Sequence, residues 1–142
     1  MSDNSTSTER AERAQPESFR GRTLAASFTV NDLTTSLAWY CDVLGFTLDQ
    51  KYERAGKLQA ASLKAGEVRI LLGQDDGAKG WDRVKGVGTS IQIGTAQDID
   101  ELAARVKERG GTLDSEPADM PWGARVFRVS DPDGYKIAIS SV

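Results

Sequence analysis

The stretch Gly45-Phe46-Thr47-Leu48-Asp49 returns later in the chain as Gly110-Gly111-Thr112-Leu113-Asp114. Each copy is preceded by apolar residues at helical spacing. Before each helical pattern comes a stretch in which side chains alternate as they do in a strand. A repeat of this kind indicates two copies of one supersecondary unit, each of which needs the other to cover its apolar face. The chain is therefore predicted to fold as two related modules.

Each module is predicted to contain one strand, one helix and then three further strands. In residues 25–30 and 90–93, small or polar side chains alternate with larger apolar ones, which is the pattern of a half-buried strand. Helices are predicted within residues 31–45 and 95–110, which begin with side chains able to cap a helix and end at a glycine. The fold class is then α+β, with two tandem β-α-β-β-β modules. The remaining strands are predicted over residues 46–52, 58–64, 68–72, 112–116, 125–129 and 135–140.

The chain divides into a tail and a single domain. Residues 1–22 are rich in serine and threonine and almost lack large apolar side chains, so this tail is expected to be mobile or loosely docked. The domain is predicted over residues 23–142, with the first module at about 23–73 and the second at about 87–142. Between them, the polar residues 74–86 are predicted to form a linker and to be exposed to solvent.

Composition excludes several classes of function. The 142 residues include no histidine, which removes imidazole-based catalytic dyads and triads. The single cysteine, Cys41, excludes an intrachain disulfide and a multi-cysteine zinc site. A net charge of −3 provides no basic surface for a nucleic acid, and no apolar stretch has the length of a membrane span. We therefore expect a cytoplasmic protein without nucleic-acid or membrane partners.

Three motifs resemble those of a known family. They are Trp39-Tyr40, Leu44-Gly45-Phe46 and the terminal run Asp131-Pro132-Asp133-Gly134-Tyr135-Lys136-Ile137. Together with the tandem modules, they resemble the vicinal oxygen chelate superfamily, which includes glyoxalases, bleomycin-resistance proteins and extradiol dioxygenases. The resemblance implies an open, cleft-containing, barrel-like sheet and a homodimer. Whether the modules pair within one chain or exchange with a second chain stays open, because the linker is long enough for either.

The resemblance also locates the positions that ligate a metal ion in many family members. In this chain those positions fall at Ala25, at Ile70 or Leu71, at Ser90 and at Ala138. None of these side chains is a competent ligand for a divalent ion. We therefore expect no metal and no other cofactor, and no glyoxalase, epimerase or dioxygenase chemistry that depends on a metal.

The expected ligand-binding residues line the cleft. The run from Pro121 to Phe127 is similar to a segment that carries a cleft aromatic in bleomycin-resistance proteins, so Trp122 is a candidate for stacking on a ligand. Its alternative role is packing at a sheet edge or in a dimer interface. Arg125 is a candidate partner for a ligand carboxylate, or else a solvated charge at a strand end. The remaining candidates are Ser27, Ser90, Gln92 and Ala138 on the cleft face, and Tyr52 beside it.

These observations predict a metal-free protein that sequesters an aromatic or bleomycin-type antibiotic, or a related metabolite, as in antibiotic resistance. No catalytic residue is assigned. The alternative is a metal-independent enzyme, such as a lyase or isomerase, with Glu67 or Glu116 as general base. A third possibility is a structural or regulatory protein with a vestigial cleft. Asp131 and Asp133 are interpreted as turn-forming residues.

Overall fold

The computed structural model describes residues 19–142, so the predicted tail lies largely outside the described residues. Both modules have the predicted order of elements. The first module contains β1 (Ala25–Val30), α1 (Leu33–Ala38), a π-helical segment (Trp39–Val43), β2 (Thr47–Arg54), β3 (Lys57–Ala65) and β4 (Val68–Gln74). The second contains β5 (Ser90–Thr95), α2 (Ile99–Glu108), β6 (Leu113–Asp119), β7 (Arg125–Ser130) and β8 (Lys136–Ser141). No helix of the described residues is long and apolar enough to cross a membrane.

Each helix begins at an aspartate. The carboxylate of Asp32 accepts a hydrogen bond from the backbone N–H of Thr35, and that of Asp98 accepts one from Glu101, so each satisfies a backbone donor of the first helical turn. Gly111 follows the second helix at a point of close packing. A Cβ atom there would lie 2.6 Å from the side chains of Val43 and Val106, so only glycine fits between the two helix ends.

The two sheets are structural copies of each other. Their strand orders are β1-β4-β3-β2 and β5-β8-β7-β6, and in both the first strand pairs in parallel with the last. The registers also correspond, since Ala25 pairs with Arg69 in the first sheet and Ser90 pairs with Lys136 in the second. The fold class predicted from the repeat is confirmed.

One face of each sheet packs into a single shared core. Phe28, Leu63 and Ile70 contribute from the first sheet, and Phe127 and Ile139 contribute from the second. We call the other side of each sheet its open face. Because both sheets give their helix-bearing side to the same core, the two open faces point outward and away from each other. Within residues 19–142, the two open faces therefore lie on opposite sides of the shared core.

The turn between β7 and β8 joins the second module to the first. The Tyr135 ring stacks on Phe28 with 4.2 Å between ring centroids, and its hydroxyl donates to the carbonyl of Thr29 at 2.8 Å. The Tyr40 hydroxyl donates to Asp131 at 2.8 Å. Burial raises the pKa of the Asp131 carboxyl, and burial together with that carboxylate raises the pKa of Tyr40. This turn has a tertiary role that its sequence pattern does not reveal.

The linker also has a buried anchor, which corrects the expectation of a wholly solvated loop. Asp75 and Lys85 are an ion pair at 2.8 Å, and each side chain is only 3% exposed. The Lys85 ammonium also donates to the Asn31 side chain at 2.6 Å, and the Asp75 carboxylate accepts from the backbone N–H of Gly77. The hydrogen bond from Lys85, with that backbone N–H, lowers the pKa of the Asp75 carboxyl. The linker is thus held against the first module at both of its ends.

Candidate functional site

A row of three residues crosses the open face of the second sheet. Ala138 of β8 pairs with Arg128 of β7 on one side and with Gln92 of β5 on the other. Adjacent strands lie about 4.8 Å apart, so the backbones of Arg128 and Gln92 are separated by about 10 Å. The methyl side chain of Ala138 leaves the space between them open. The row is therefore a notch with a guanidinium at one end and an amide at the other.

Arg128 is the charged group that dominates this notch. Its side chain is exposed, and it forms no ion pair or side-chain hydrogen bond with another residue of the described chain. A guanidinium presents several N–H donors in one plane, which suits a carboxylate or carbonyl oxygen. Gln92, also exposed, adds both a donor and an acceptor. The notch can thus orient a ligand that carries an oxygen acceptor.

A second row continues the open face below the notch. Ser90 pairs with Lys136, and Lys136 pairs with Ser130. The Lys136 ammonium donates to the Ser130 hydroxyl at 2.7 Å, and that hydroxyl donates to the Asp114 carboxylate. Lys136 is therefore held by its own sheet, whereas Ser90 is exposed at the end of the row.

Trp122 lies in the turn between β6 and β7, at one end of the second sheet. The turn is closed by hydrogen bonds from Met120 N–H to the Ala124 carbonyl and from Gly123 N–H to the Met120 carbonyl, and Gly123 has a φ of 97°. The Trp122 side chain is 64% exposed. Val126 and Ser140, in the open-face row nearest this turn, are buried, so the face is more enclosed at the end that carries Trp122.

Arg125 lies on the other side of the sheet. Its guanidinium donates to both carboxylate oxygens of Asp100 at 2.9 Å and to Asp119 at 3.1 Å. These bonds, first those to Asp100, raise the pKa of Arg125, and the same contact lowers the pKa of Asp100. The structure therefore directs Arg125 toward α2 and away from Gln92 and Ala138, and its charge is already matched.

The first sheet presents a second open face with the other two predicted residues. Ser27 is exposed next to Leu71, its register partner in β4, and Tyr52 is 48% exposed on β2. The Tyr52 hydroxyl donates to the Gln50 side chain at 2.6 Å. Asp49 pairs with Arg69 at 2.7 Å and with Lys64 at 3.7 Å, and the hydrogen bond from Arg69 lowers the pKa of the Asp49 carboxyl. This face is largely polar, and Leu71 is an exposed apolar side chain on it.

The structure resolves which residue of β4 belongs to the open face. Leu71 is exposed there, whereas Ile70 is fully buried in the core. The four positions that the family resemblance assigns to metal ligands are thus Ala25, Leu71, Ser90 and Ala138. Methyl, isobutyl and hydroxymethyl groups do not supply the carboxylate or imidazole donors that a divalent ion requires. Within residues 19–142, no three Asp, Glu or Cys side chains converge on one point either. The residues present do not fit the metal centre of the family.

The two carboxylates considered as general bases also lie away from the open faces. Glu116 is ion-paired with Lys107 of α2 at 2.6 Å, on the helix side of the second sheet. Glu67 lies in the turn between β3 and β4. Cys41 is half-buried, and burial raises the pKa of its thiol, which disfavours the reactive thiolate.

The predicted site residues fall into two groups. Ser90, Gln92 and Ala138 share the open face of the second sheet with Trp122 at its end, whereas Ser27 and Tyr52 share that of the first. The structure adds Arg128, which sequence reasoning did not select. The signal was available, because Arg128 lies between the apolar residues Phe127 and Val129, and strand alternation places it on the opposite face from them.

Comparison with known proteins gives several matches. A family model described as Glyoxalase/Bleomycin resistance protein/Dioxygenase superfamily matches residues 22–139. A probable lactoylglutathione lyase of Synechocystis sp. is 34% identical over 116 residues, which is 78% of this chain and 87% of the relative. A bleomycin resistance protein of Geobacillus stearothermophilus is 33% identical over 121 residues, which is 77% of this chain and 88% of the relative.

A solved structure supports the same assignment of fold. A member of this superfamily from Sphaerobacter thermophilus superposes with a TM-score of 0.71 and 27% identity, over 87% of this chain and 98% of that one. The names of the sequence relatives include both a lyase and a resistance protein. The chemistry of this chain therefore has to be argued from its own side chains.

Proposed function

Because the chain belongs to the glyoxalase/bleomycin resistance protein/dioxygenase superfamily, we propose that it binds a small organic molecule without a metal ion and holds it unchanged. The ligand is an aromatic or bleomycin-type antibiotic, or a related metabolite with an oxygen acceptor. The observation that carries this proposal is the notch at Ala138. At a position where the family resemblance implies a metal ligand, this chain has a methyl group between a guanidinium without a partner in the described chain and an amide.

The binding cleft is formed by two chains. One chain exposes its two open faces on opposite sides, and a ligand on a single flat sheet remains largely in solvent. If the first sheet of one protomer faces the second sheet of another, Ser27, Leu71 and Tyr52 lie opposite the notch. A symmetric homodimer then contains two equivalent clefts, because each pairing occurs twice.

Each group in the cleft has a distinct task. The Trp122 indole offers a planar apolar surface for stacking, which contributes about 0.5–1.5 kcal/mol beyond the burial of its area. Arg128 and Gln92 supply hydrogen bonds to a carbonyl or carboxylate oxygen of the ligand. The small side chains at Ala25, Ser27, Ser90 and Ala138 leave room for a flat molecule. Chemical conversion is not required of any of these residues.

Metal-free bleomycin is the probe for the first test. We expect isothermal titration calorimetry in the presence of EDTA to give saturable binding of one molecule per chain. Trp122→Ala and Arg128→Gln are each expected to weaken binding about tenfold, because each removes a contact worth about 1–2 kcal/mol.

Lys107→Gln is the matched control for Arg128→Gln. It removes one positive charge from α2, on the opposite side of the second sheet, and is expected to leave the affinity unchanged. Absence of saturable binding by the wild-type protein would overturn the assignment of a bleomycin-type ligand. Binding that requires an added divalent ion, or that is unaffected in both site variants, would overturn the proposed site.

A further inference from the structure

A groove of about 650 Å³ lies between the two modules, away from both open faces. It opens where the turn between β3 and β4 (residues 65–68) approaches the end of β5 (residues 93–97). Its floor consists of buried apolar side chains of the shared core, among them Phe46, Val106, Phe127 and Ile139. The volume is in the range of small-molecule sites in proteins, which is about 300–1,000 Å³.

The internal repeat explains why this groove is open. The corresponding junction on the other side of the molecule brings the turn between β7 and β8 against the end of β1, and the Tyr135 ring fills it by stacking on Phe28. By the matching sheet registers, the counterpart of Tyr135 is Val68 and the counterpart of Phe28 is Ile93. Valine is too short to cover the junction, so the space that Tyr135 occupies on one side remains empty on the other.

The mouth of the groove carries a net positive charge, because two arginines and one carboxylate, Glu67, line it. Arg105 lies in the last turn of α2 and Arg109 is the residue that caps its C-terminus, so the two side chains, four residues apart, lie on the same side. Arg105 reaches Glu101 only at 4.0 Å, and the Arg109 guanidinium has no ion pair among residues 19–142. Arg109 crosses toward the first module, since a Cβ atom on Gly45 would lie 3.3 Å from Nη1 of Arg109. A cationic group thus lies over an apolar space.

We propose that this groove binds an amphipathic carboxylate of the medium-chain fatty-acid type. Its apolar chain lies against the half-buried side chains of Val68, Ile93 and Leu102. Its carboxylate accepts hydrogen bonds from Arg105 and Arg109 at the mouth. Charge-assisted bonds from a guanidinium to a carboxylate are among the stronger polar contacts in proteins. This site is separate from the notch at Ala138, on the core side of the second sheet.

Dodecanoate, below its micellar concentration, is the probe for this site. We expect isothermal titration calorimetry to show one saturable site per chain, with dodecan-1-ol bound about tenfold more weakly because it lacks the charge. Val68→Tyr places an aromatic ring at the open junction, in the position that Tyr135 occupies at the filled junction. This substitution is expected to abolish dodecanoate binding and to raise the midpoint of thermal unfolding, because it fills an apolar space.

Arg109→Gln provides an independent test that leaves the cavity unfilled. It is expected to weaken dodecanoate binding about tenfold, whereas Lys107→Gln on the same helix keeps the wild-type affinity. Far-UV circular dichroism verifies that each variant is folded, and Arg109→Gln decides the outcome if Val68→Tyr fails to fold. No saturable binding of dodecanoate by the wild type, or wild-type affinity in Arg109→Gln, would overturn the proposal.

Discussion

Arg125 and Arg128 belong to the same strand, yet their side chains serve different sides of the sheet. Successive side chains of a strand alternate, so an odd separation of three residues places the two guanidinium groups on opposite faces. Arg125 is neutralised by Asp100 and Asp119, whereas Arg128 is available to a ligand on the open face. The sequence analysis chose Arg125 because it lies in a motif that resembles the family. The two apolar residues that flank Arg128, Phe127 and Val129, would instead have pointed to Arg128.

Asp131 acts as more than a turn residue. One carboxylate oxygen accepts hydrogen bonds from the backbone N–H groups of Asp133 and Tyr135, both at 2.9 Å, and the other accepts the Tyr40 hydroxyl. The first two bonds are local and follow from the Asp-Pro-Asp-Gly pattern. The third joins residues 91 positions apart in the chain. No local pattern could reveal it, because it depends on how the modules pack.

Asp131→Ala is therefore predicted to destabilise the whole molecule. The substitution leaves the buried Tyr40 hydroxyl without an acceptor and removes two bonds that order the turn, at a cost of about 2–4 kcal/mol in the free energy of unfolding. Urea denaturation followed by tryptophan fluorescence measures this change. Asp82→Ala, an exposed carboxylate of the linker, is the control and is expected to stay within about 0.5 kcal/mol of the wild type. Equal stability of the two variants would contradict the tertiary role of Asp131.

The elements follow the sequence pattern closely, with one difference in the first helix. The pattern predicts a continuous helix up to Gly45, whereas α1 ends at Ala38 and continues as a π-helical segment to Val43. The backbone N–H of Leu44 accordingly bonds to the carbonyl of Trp39, five residues earlier. Apolar spacing over so few residues does not distinguish the two kinds of helical turn, because their hydrogen bonds differ in span by only one residue.

The linker is the element whose environment differed most from expectation. Acidic residues in a polar stretch favour a solvated loop, and Asp76 is indeed exposed, but Asp75 and Lys85 are buried together. An ion pair between residues ten positions apart is invisible to composition. It forms because the two ends of the linker meet beside Asn31 at the end of β1.

This ion pair is predicted to make stability depend on pH. An unperturbed aspartate has a pKa of about 3.9, and contact with Lys85 lowers the pKa of Asp75 in the folded protein. The contribution of the ionised carboxylate to stability is therefore fully present above about pH 5, where the unfolded carboxyl is ionised as well, and is lost as the pH falls through the folded-state pKa. The difference in unfolding free energy between the wild type and Asp75→Asn is thus expected to be constant above about pH 5 and to shrink in more acidic solution.

Urea denaturation across a pH series measures that difference. Asp82→Asn is the matched control, because its carboxylate is exposed, and it is expected to stay within about 0.5 kcal/mol of the wild type. A pH-independent difference for Asp75→Asn would contradict the assigned contact with Lys85.

At the scale of the whole molecule, the two outward-facing sheets predict a homodimer. Cross-linking between chains tests the pairing of unlike open faces directly. In a Cys41→Ser background, Ala25→Cys combined with Ala138→Cys places one thiol on the first sheet and one on the second. In each cleft, the thiol at position 25 of one chain faces the thiol at position 138 of the other. Oxidation is therefore expected to yield a covalent dimer on a non-reducing gel.

Two controls distinguish this outcome from random collisions. Ala104→Cys, on the exposed surface of α2, is expected to form little covalent dimer under the same conditions. Sedimentation of the unmodified protein is expected to give about twice the chain mass of 15.4 kDa. A chain that stays monomeric, or a disulfide that forms only within one chain, would contradict the paired arrangement.

The sequence by itself determined the tandem modules, the order of their elements and the lack of metal-binding side chains at the family positions. These properties depend on local periodicity, turn residues and side-chain chemistry, which are present in the chain before it folds. Only the tertiary structure decided that the helix-bearing sides share one core, that Asp131 accepts the Tyr40 hydroxyl, and that one module junction is filled while the other is open. Those outcomes depend on packing between residues far apart in the chain, and short-range patterns contain no record of such contacts.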